Sequence, residues 1–455
     1  MTLDRKISPA FKPFFSRSGD HDRRDAIVIY NSPGLEGLQA TSRLGQLNRK
    51  QLNLVREQAQ LQRQVESRLF EGYQGRSRDL GHQGSPLKTR TVGAGTLPMV
   101  NVEVTRTTLA AIAAEPDVVA VLPNQNVELL KPKRIDYSDL MPQEQEGGLT
   151  WGLKQLEIAK VWETTKGAGI NVAVLDTGCY GDHPALKDRV KDFVLVDPLG
   201  RRITTDVTFD AGQHGTHVCG TIAGGMTETG IAIGCAPEAN LLVGGVLVGN
   251  ATLLTLVEGM AWAIERGADI INLSLGLEYY EPLFSKVLDI LISQYDVLPV
   301  VAIGNSNHGN TSSPGNSYNA FSVGAIEQMA EDQLGVTFFS SGASLVFPGQ
   351  SPEDIVTKPD VVAPGAQIYS CIPPEQRPEG TFAYTYMDGT SMAAPHIAGV
   401  AALLMAANPE ASVTDVLKAM RETALHPNGG DRRPDNRWGY GLVQPVEALK
   451  LIQMA

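Results

Sequence analysis

Between residues 171 and 176 the chain runs Val172-Ala173-Val174-Leu175 without a polar break and then stops on Asp176. An unbroken apolar run of that length predicts a strand covered on both faces, as in a parallel sheet with helices on either side. A second apolar series, Ile397, Ala398, Val400, Ala401, Leu403 and Leu404, predicts a helix with a face fit for burial. It starts at Gly389-Thr390-Ser391, with the glycine read as a sharp turn and Pro395 as a first-turn proline whose missing N–H costs little. Residues 214–225 predict another helix, closing on Gly224-Gly225. The N-terminal third has a different rhythm. Strands are predicted at 26–30, 99–104, 118–124 and 126–130, a long helix at 42–70 and a short one at 107–114. That β-α-β-α-β order belongs to a small α+β domain. Residues 131–148 are polar, contain Pro and Gly, and read as a linker.

The chain has 455 residues, more than one core of ordinary size holds. The expected division is a flexible extension at 1–24, an α+β domain at 25–130, a linker at 131–149 and a second domain at 150–455. Hydrophobic content of 42% against 19% charged residues fits a globular protein. The net charge of −12 is uneven: residues 1–150 carry 20 Lys+Arg against 17 Asp+Glu, residues 151–455 carry 18 against 33. A basic piece ahead of an acidic one suggests mutual attraction rather than nucleic-acid binding, unless the asymmetry is incidental. The apolar stretch 397–407 is too short to span a bilayer, so no membrane span is expected. Residues 1–20 lack the apolar core of a secretory signal, so a cytoplasmic place is expected, with Cys179, Cys219, Cys235 and Cys371 reduced. Cys179 follows Asp176 by three residues and Cys219 follows His214 by five. Each reads as a small core residue or as a thiol beside the chemistry.

The chemistry starts at Ser391. At the mouth of a helix the first amides are unpaired, and they and the helix dipole favour negative charge. Acyl transfer makes such a charge on the oxygen of a tetrahedral intermediate. His214, flanked by Gly215 at a helix start, can act as base, and Asp176 at the carboxyl end of a strand can orient it. Other readings exist for each piece alone. His214, His217 and Cys219 have metal-like spacing, but no further Cys or His pair completes a four-ligand set. The helix start could bind phosphate. Gly167-Ala168-Gly169 precedes its strand, unlike a dinucleotide fingerprint.

Together, Asp176-Thr177-Gly178, His214-Gly215-Thr216-His217 and Gly389-Thr390-Ser391-Met392-Ala393 resemble the three signatures of the subtilisin-like serine proteases, in that family's chain order. The resemblance runs from about residue 150 to the C-terminus. It includes Ala302-Ile303-Gly304-Asn305, Asn272-Leu273-Ser274-Leu275-Gly276, Lys358-Pro359-Asp360 and Trp438-Gly439-Tyr440-Gly441-Leu442. It implies an α/β class with a subtilisin-like three-layer fold and a mostly parallel central sheet. It also implies a triad of Asp176, His214 and Ser391 with Asn305 in the oxyanion hole. The N-terminal region, best at residues 100–130, resembles the family's inhibitory propeptide. That implies a self-inhibited zymogen, with the chain's own N-terminal domain as inhibitor and a cut between Lys131 and Thr150.

By the same resemblance the substrate is a protein or peptide. Ser274, Leu275, Gly276, Ala302, Gly304 and Ser312 would wall an uncharged pocket that takes an apolar side chain. Residues near Gly249 would pair with substrate backbone. The chemistry needs no cofactor. Ala185 stands where many relatives place a calcium-ligating aspartate, which puts that calcium site in doubt, while the loop 224–230 could still offer oxygen ligands for a structural calcium. Alternatives to peptide hydrolysis are acyl transfer to an amine, as in a peptide ligase, and a pseudo-protease scaffold.

Overall fold

The computed structural model describes residues 5–17, 19, 22–31, 89–135, 138–277, 279–282, 284–329, 333–346 and 355–454. The run after Asn171 forms the strand Asn171–Asp176. Because side chains alternate along a strand, Val172 and Val174 enter one core and Ala173 and Leu175 another. Both faces are therefore dry, which is why no polar residue interrupts the run.

This strand sits near the middle of a nine-stranded sheet. Asn240–Gly245 lies parallel on one side of it and Ile270–Leu273 parallel on the other. Outward from these come Val190–Val196 on one flank, and Leu298–Ala302, Phe321–Gln328 and Val361–Pro364 on the other, all parallel. The outermost pairs, to Arg202–Ile203 and to Leu334–Val336, are antiparallel. Helices His214–Ala223 and Thr390–Ala407 cover one face and Leu253–Glu265 the other, giving three layers. At 18 residues, Thr390–Ala407 is long and apolar enough to cross a membrane by length and composition, beyond the shorter stretch legible in the sequence. It is instead the buried central helix of this fold, with every residue from Thr390 to Met405 out of solvent.

The N-terminal unit is a four-stranded antiparallel sheet in the order Thr89–Thr91, Met99–Val104, Arg24–Tyr30, Val118–Pro123. Helix Arg106–Ala114 begins at Thr105, whose hydroxyl and that of Thr108 cap each other's backbone amides. The helix expected at 42–70 lies outside the described residues. One face of the sheet (Ala26, Val28, Tyr30, Val100, Val102, Val104) packs on that helix. The other face (Ile27, Ile29, Met99, Ala120, Leu122) shares a core with helix Leu253–Glu265 of the large unit. Their approach is close: a Cβ on Gly93, which has φ +59°, would lie 2.3 Å from the Ala261 Cβ.

Two expectations change. Part of the extension at 1–24 is folded: Pro9–Phe11 and Lys12–Arg17 are helical, and Phe11 and Phe14 are buried against the sheet's outer face. The reason is apolar cover, since without them that layer would meet water. The presumed linker is also structured. Lys133–Ile135 is a strand and Met141–Gly147 a helix. Its Glu144 is buried and accepts hydrogen bonds from the Trp151 amide at 2.9 Å and the Tyr386 hydroxyl at 2.7 Å. Burial pushes the Glu144 carboxyl up from its ordinary value, against the pull of those donors.

Candidate active site

Asp176 closes its strand at the carboxyl edge of the sheet, where chemistry gathers in open α/β folds. His214 opens its helix beside it. Gly215 makes the approach feasible, because a Cβ there would fall 2.0 Å from the Gly178 carbonyl oxygen. His214 Nδ1 lies 2.8 Å from Asp176 Oδ1, with both side chains buried. That leaves Nε2 facing away from the carboxylate, buried and with no hydrogen-bond partner among the described residues.

Asp210, which the sequence did not single out, ties this corner together. Its Oδ2 accepts from the Thr216 amide (2.8 Å) and hydroxyl (2.7 Å), in the first turn of the histidine's helix. Its Oδ1 accepts from the Thr177 hydroxyl at 2.6 Å, and that hydroxyl in turn accepts from the Gly215 amide. One carboxylate thus fixes the aspartate's strand end to the histidine's helix start. An acid shortly before a helix start is the signal that could have found it.

Ser391 is the second residue of helix Thr390–Ala407, as its sequence suggested, but the neighbours act differently. Gly389 has φ 164°, ordinary extended backbone, so it makes no special turn. A Cβ there would stand 3.4 Å from Asn305 Nδ2, an ordinary contact, so the site does not demand glycine for room either. Pro395 falls in the second turn, not the first. Its missing N–H deprives the Ser391 carbonyl of its usual helical donor, and the Ser274 hydroxyl donates to that carbonyl instead, at 3.2 Å. Ser391 Oγ itself lies 3.2 Å from the Ser274 carbonyl oxygen and 3.2 Å from that of Leu130.

Asn305 is held by its oxygen, which accepts from the Thr390 amide (2.9 Å) and hydroxyl (2.8 Å). Its NH2 must therefore point outward, and Nδ2 lies 3.2 Å from the Leu130 carbonyl oxygen. Behind the site, His217 donates from Nε2 to the Ile368 carbonyl at 3.0 Å. Burial, with His214 beside it, pushes its pKa down to about 3. The thiols of Cys219 and Cys371 are buried and pushed well up, first by burial and then by neighbouring groups including the Cys179 thiol. Such thiols are not nucleophiles.

The cleft is filled by the chain itself. Val127 donates to the Ala251 carbonyl at 3.0 Å, and Glu128–Leu129 pairs antiparallel with Leu275–Gly276. Leu130 is buried, with Cδ2 3.6 Å from where a Gly276 Cβ would stand. Ser312 lies between Gly276 and Gly304, and Ala302 ends the strand that leads to Gly304. Past Ser391 the chain continues as Lys133–Ile135, antiparallel to Tyr386–Asp388. The backbone partner on the second rim is Ala251, near Gly249 as expected. The peptide bond lying at Ser391 is Leu130–Lys131, one residue ahead of the window expected for a cut. Register places it there, since residues 126–129 are spent on strand pairing before the chain reaches the serine. Among the described residues no cluster of three or more His, Cys, Asp or Glu could hold a metal ion.

The model of the subtilase family matches residues 167–441. The chain belongs to the subtilase family. It is a subtilisin-like serine protease with the corresponding three-layer fold. It is 35% identical over 284 residues to the "Intracellular serine protease" of Paenibacillus polymyxa, covering 59% of this chain and 77% of that one. It is 33% identical over 304 residues to "Subtilisin Savinase" of Lederbergia lenta, covering 66% of this chain and 98% of the relative. Fervidolysin of Fervidobacterium pennivorans is 33% identical over 374 residues, 72% of this chain, which spans half of that relative's length. The crystal structure of fervidolysin, described as a keratinolytic enzyme related to subtilisin, superposes with a TM-score of 0.66 at 25% identity, covering 95% of this chain and 62% of that one.

Proposed function

We propose that this subtilase is a serine endopeptidase made as a self-inhibited zymogen, and that it cuts its own Leu130–Lys131 bond. Ser391 Oγ attacks the carbonyl carbon while His214 Nε2 takes its proton, and Asp176 holds the imidazole through Nδ1 and stabilises its cation. The oxyanion is met by Asn305 Nδ2 and by the Ser391 amide in the first turn of its helix. His214 then returns the proton to the departing amine, and water, deprotonated by the same imidazole, releases the acyl group.

One observation carries the reading: a single carbonyl oxygen, that of Leu130, lies 3.2 Å from both Ser391 Oγ and Asn305 Nδ2. The neighbouring strand pairing supports it, because Glu128–Leu129 occupies the cleft as an added strand, the mode by which extended peptides are held. The apolar setting of Leu130 supports a preference for an apolar residue before the cut. Intact-mass measurement of the wild type and Ser391→Ala tests the reading. Pieces ending at Leu130 and starting at Lys131 are expected in the wild type alone; full-length masses in both would end it.

Acyl transfer to an amine draws support from the strand Lys133–Ile135, which keeps the departing amine tethered near the serine. A product mass retaining an added amine would favour that outcome over hydrolysis. The intact set of Asp176, His214, Asn305 and Ser391 speaks against a dead scaffold.

A further inference from the structure

We infer that Glu375, with Gln213, forms a guanidinium-binding subsite for the fourth residue after the scissile bond, filled in the uncut chain by Arg134. The inference rests on the reading that Leu130–Lys131 lies across the catalytic serine. Counting from that bond, Lys131, Pro132, Lys133 and Arg134 are the first four residues on the leaving side. Arg134 Nη1 donates to Glu375 Oε1 at 3.2 Å and Nη2 to Glu375 Oε2 at 2.6 Å. This two-pronged geometry suits a planar guanidinium and not an ammonium. Nη1 also lies 3.4 Å from Gln213 Oε1, and Gln213 immediately precedes His214.

Glu375 is prepared for this partner. It sits where the hairpin of Ile368–Arg377 and Gly380–Asp388 breaks register between Cys371 and Glu375. Arg377 Nε holds its Oε2 at 2.8 Å, and the Arg377 guanidinium is stacked 4.4 Å over the Phe382 ring. The carboxylate is thus already oriented by a neighbour that does not enter the cleft. The hydrogen bond from Arg134 is the first cause that holds the Glu375 carboxyl below its ordinary value, against an upward push from burial. Backbone register delivers the arginine: Met387 pairs with Arg134 in the antiparallel ladder, so the fourth position is fixed relative to Ser391. The same ladder sets Lys133 against Asp388, making this rim of the cleft acidic where the segment is basic.

The consequence is a specificity read on the far side of the cut, beyond the apolar pocket that takes Leu130. Peptides with Arg four residues after the cut should be preferred, and Arg134 should compete with them until its strand is displaced. Arg134 and Glu375 are each about one-third exposed, so solvent and salt weaken the pair and a several-fold to roughly tenfold preference is expected.

The test uses the full-length protein and two quenched peptides with the sequence of residues 127–135, one with Arg and one with Ala at the position of Arg134. The wild type and Arg134→Ala should cut the Arg peptide faster, with the larger rate in Arg134→Ala because its subsite is empty. Glu375→Ala should cut both at equal rates, and Glu375→Arg should reverse the order against a third peptide carrying Glu there. Equal rates for the Arg and Ala peptides in Arg134→Ala, or a preference surviving in Glu375→Ala, would overturn the subsite. Fluorophosphonate labelling of Ser391 in each variant separates the two failures. A labelled enzyme that cuts without preference refutes the subsite alone, whereas a wild type that neither takes the label nor cuts its own Leu130–Lys131 bond refutes the reading beneath it.

Discussion

The two stretches that flank the Leu130–Lys131 bond lie in the same cleft but belong to different units. The stretch before it, residues 126–130, is the tail of the N-terminal sheet and is held by backbone pairing and an apolar side chain. The stretch after it, residues 131–135, is continuous with helix Met141–Gly147, whose Glu144 is locked into the large unit by Trp151 and Tyr386. It is held by backbone pairing and a guanidinium. A cut between them therefore has unequal consequences. The first half leaves with a domain, and the second stays with the enzyme. In the zymogen proposed above, inhibition would reside in an interface that can dissociate, while the leaving-side strand would remain as a resident that substrates must displace.

The largest way to break this arrangement is to remove the chemistry. Ser391→Ala should abolish separation of the halves, with turnover down by about 10⁶, the magnitude known for subtilisin. The readout is the persistence of one full-length species by mass. Asn305→Ala should slow the same cut by about 10²–10³, again the subtilisin figure, because the oxyanion formed from the Leu130 carbonyl loses a donor. The time course of the two fragments measures it. A drop under threefold would mean that Asn305 only packs against Thr390. Leu130→Arg comes next. A charge placed among the small uncharged groups Gly276, Gly304 and Ser312 loses water and gains no counter-charge from them, so self-cutting should slow by roughly 10²-fold. An unchanged rate would show that the pocket does not select at that position.

How legible was this in the chain? Asp176, His214 and Ser391 each sit in a local motif at an element end, so a short window holds the signal, whereas Asn305, three residues past its strand, is legible only through the family resemblance. The buried strand and the central helix were equally local, being runs of apolar residues. The parts that escaped depend on partners far along the chain. Glu375 acquires meaning from Arg134, 241 residues away, and Glu144 from Tyr386, 242 residues away. Asp210 is the intermediate case, six residues from Thr216 but 33 from Thr177. The bond lying at Ser391 falls one residue ahead of the expected window, because register is set by hydrogen bonds between strands and leaves little trace in either strand alone. Residues 131–148 looked like a linker on composition, since a strand completed by another segment needs no apolar run of its own.

The smallest expected effect concerns how the first half is released. Glu258, on helix Leu253–Glu265, is buried beneath the N-terminal unit, accepts from the Gly93 amide at 3.2 Å and faces Arg90 and Arg202. Arg202 also binds Glu265 at 2.6 Å, so the cations are shared between two carboxylates. Burial outweighs the guanidiniums and raises the Glu258 carboxyl above its ordinary value of 4.5. Gly93 and Arg90 reach Glu258 from the N-terminal unit, so docking makes part of that burial, and an acid raised by it binds its proton more tightly in the docked state. Its contribution to docking is therefore complete below that ordinary value and is lost as pH rises through the raised one. The cut N-terminal piece should dissociate more readily as pH climbs above 4.5, and Glu258→Gln, which stays uncharged, should remove that part of the dependence. Size-exclusion of the cut protein across this range, with Ser391 blocked after cutting, measures it. A wild type and Glu258→Gln with the same pH profile would remove Glu258 from the release step and leave the apolar face of Ile27, Ile29, Met99 and Leu122 as what holds the first half in place.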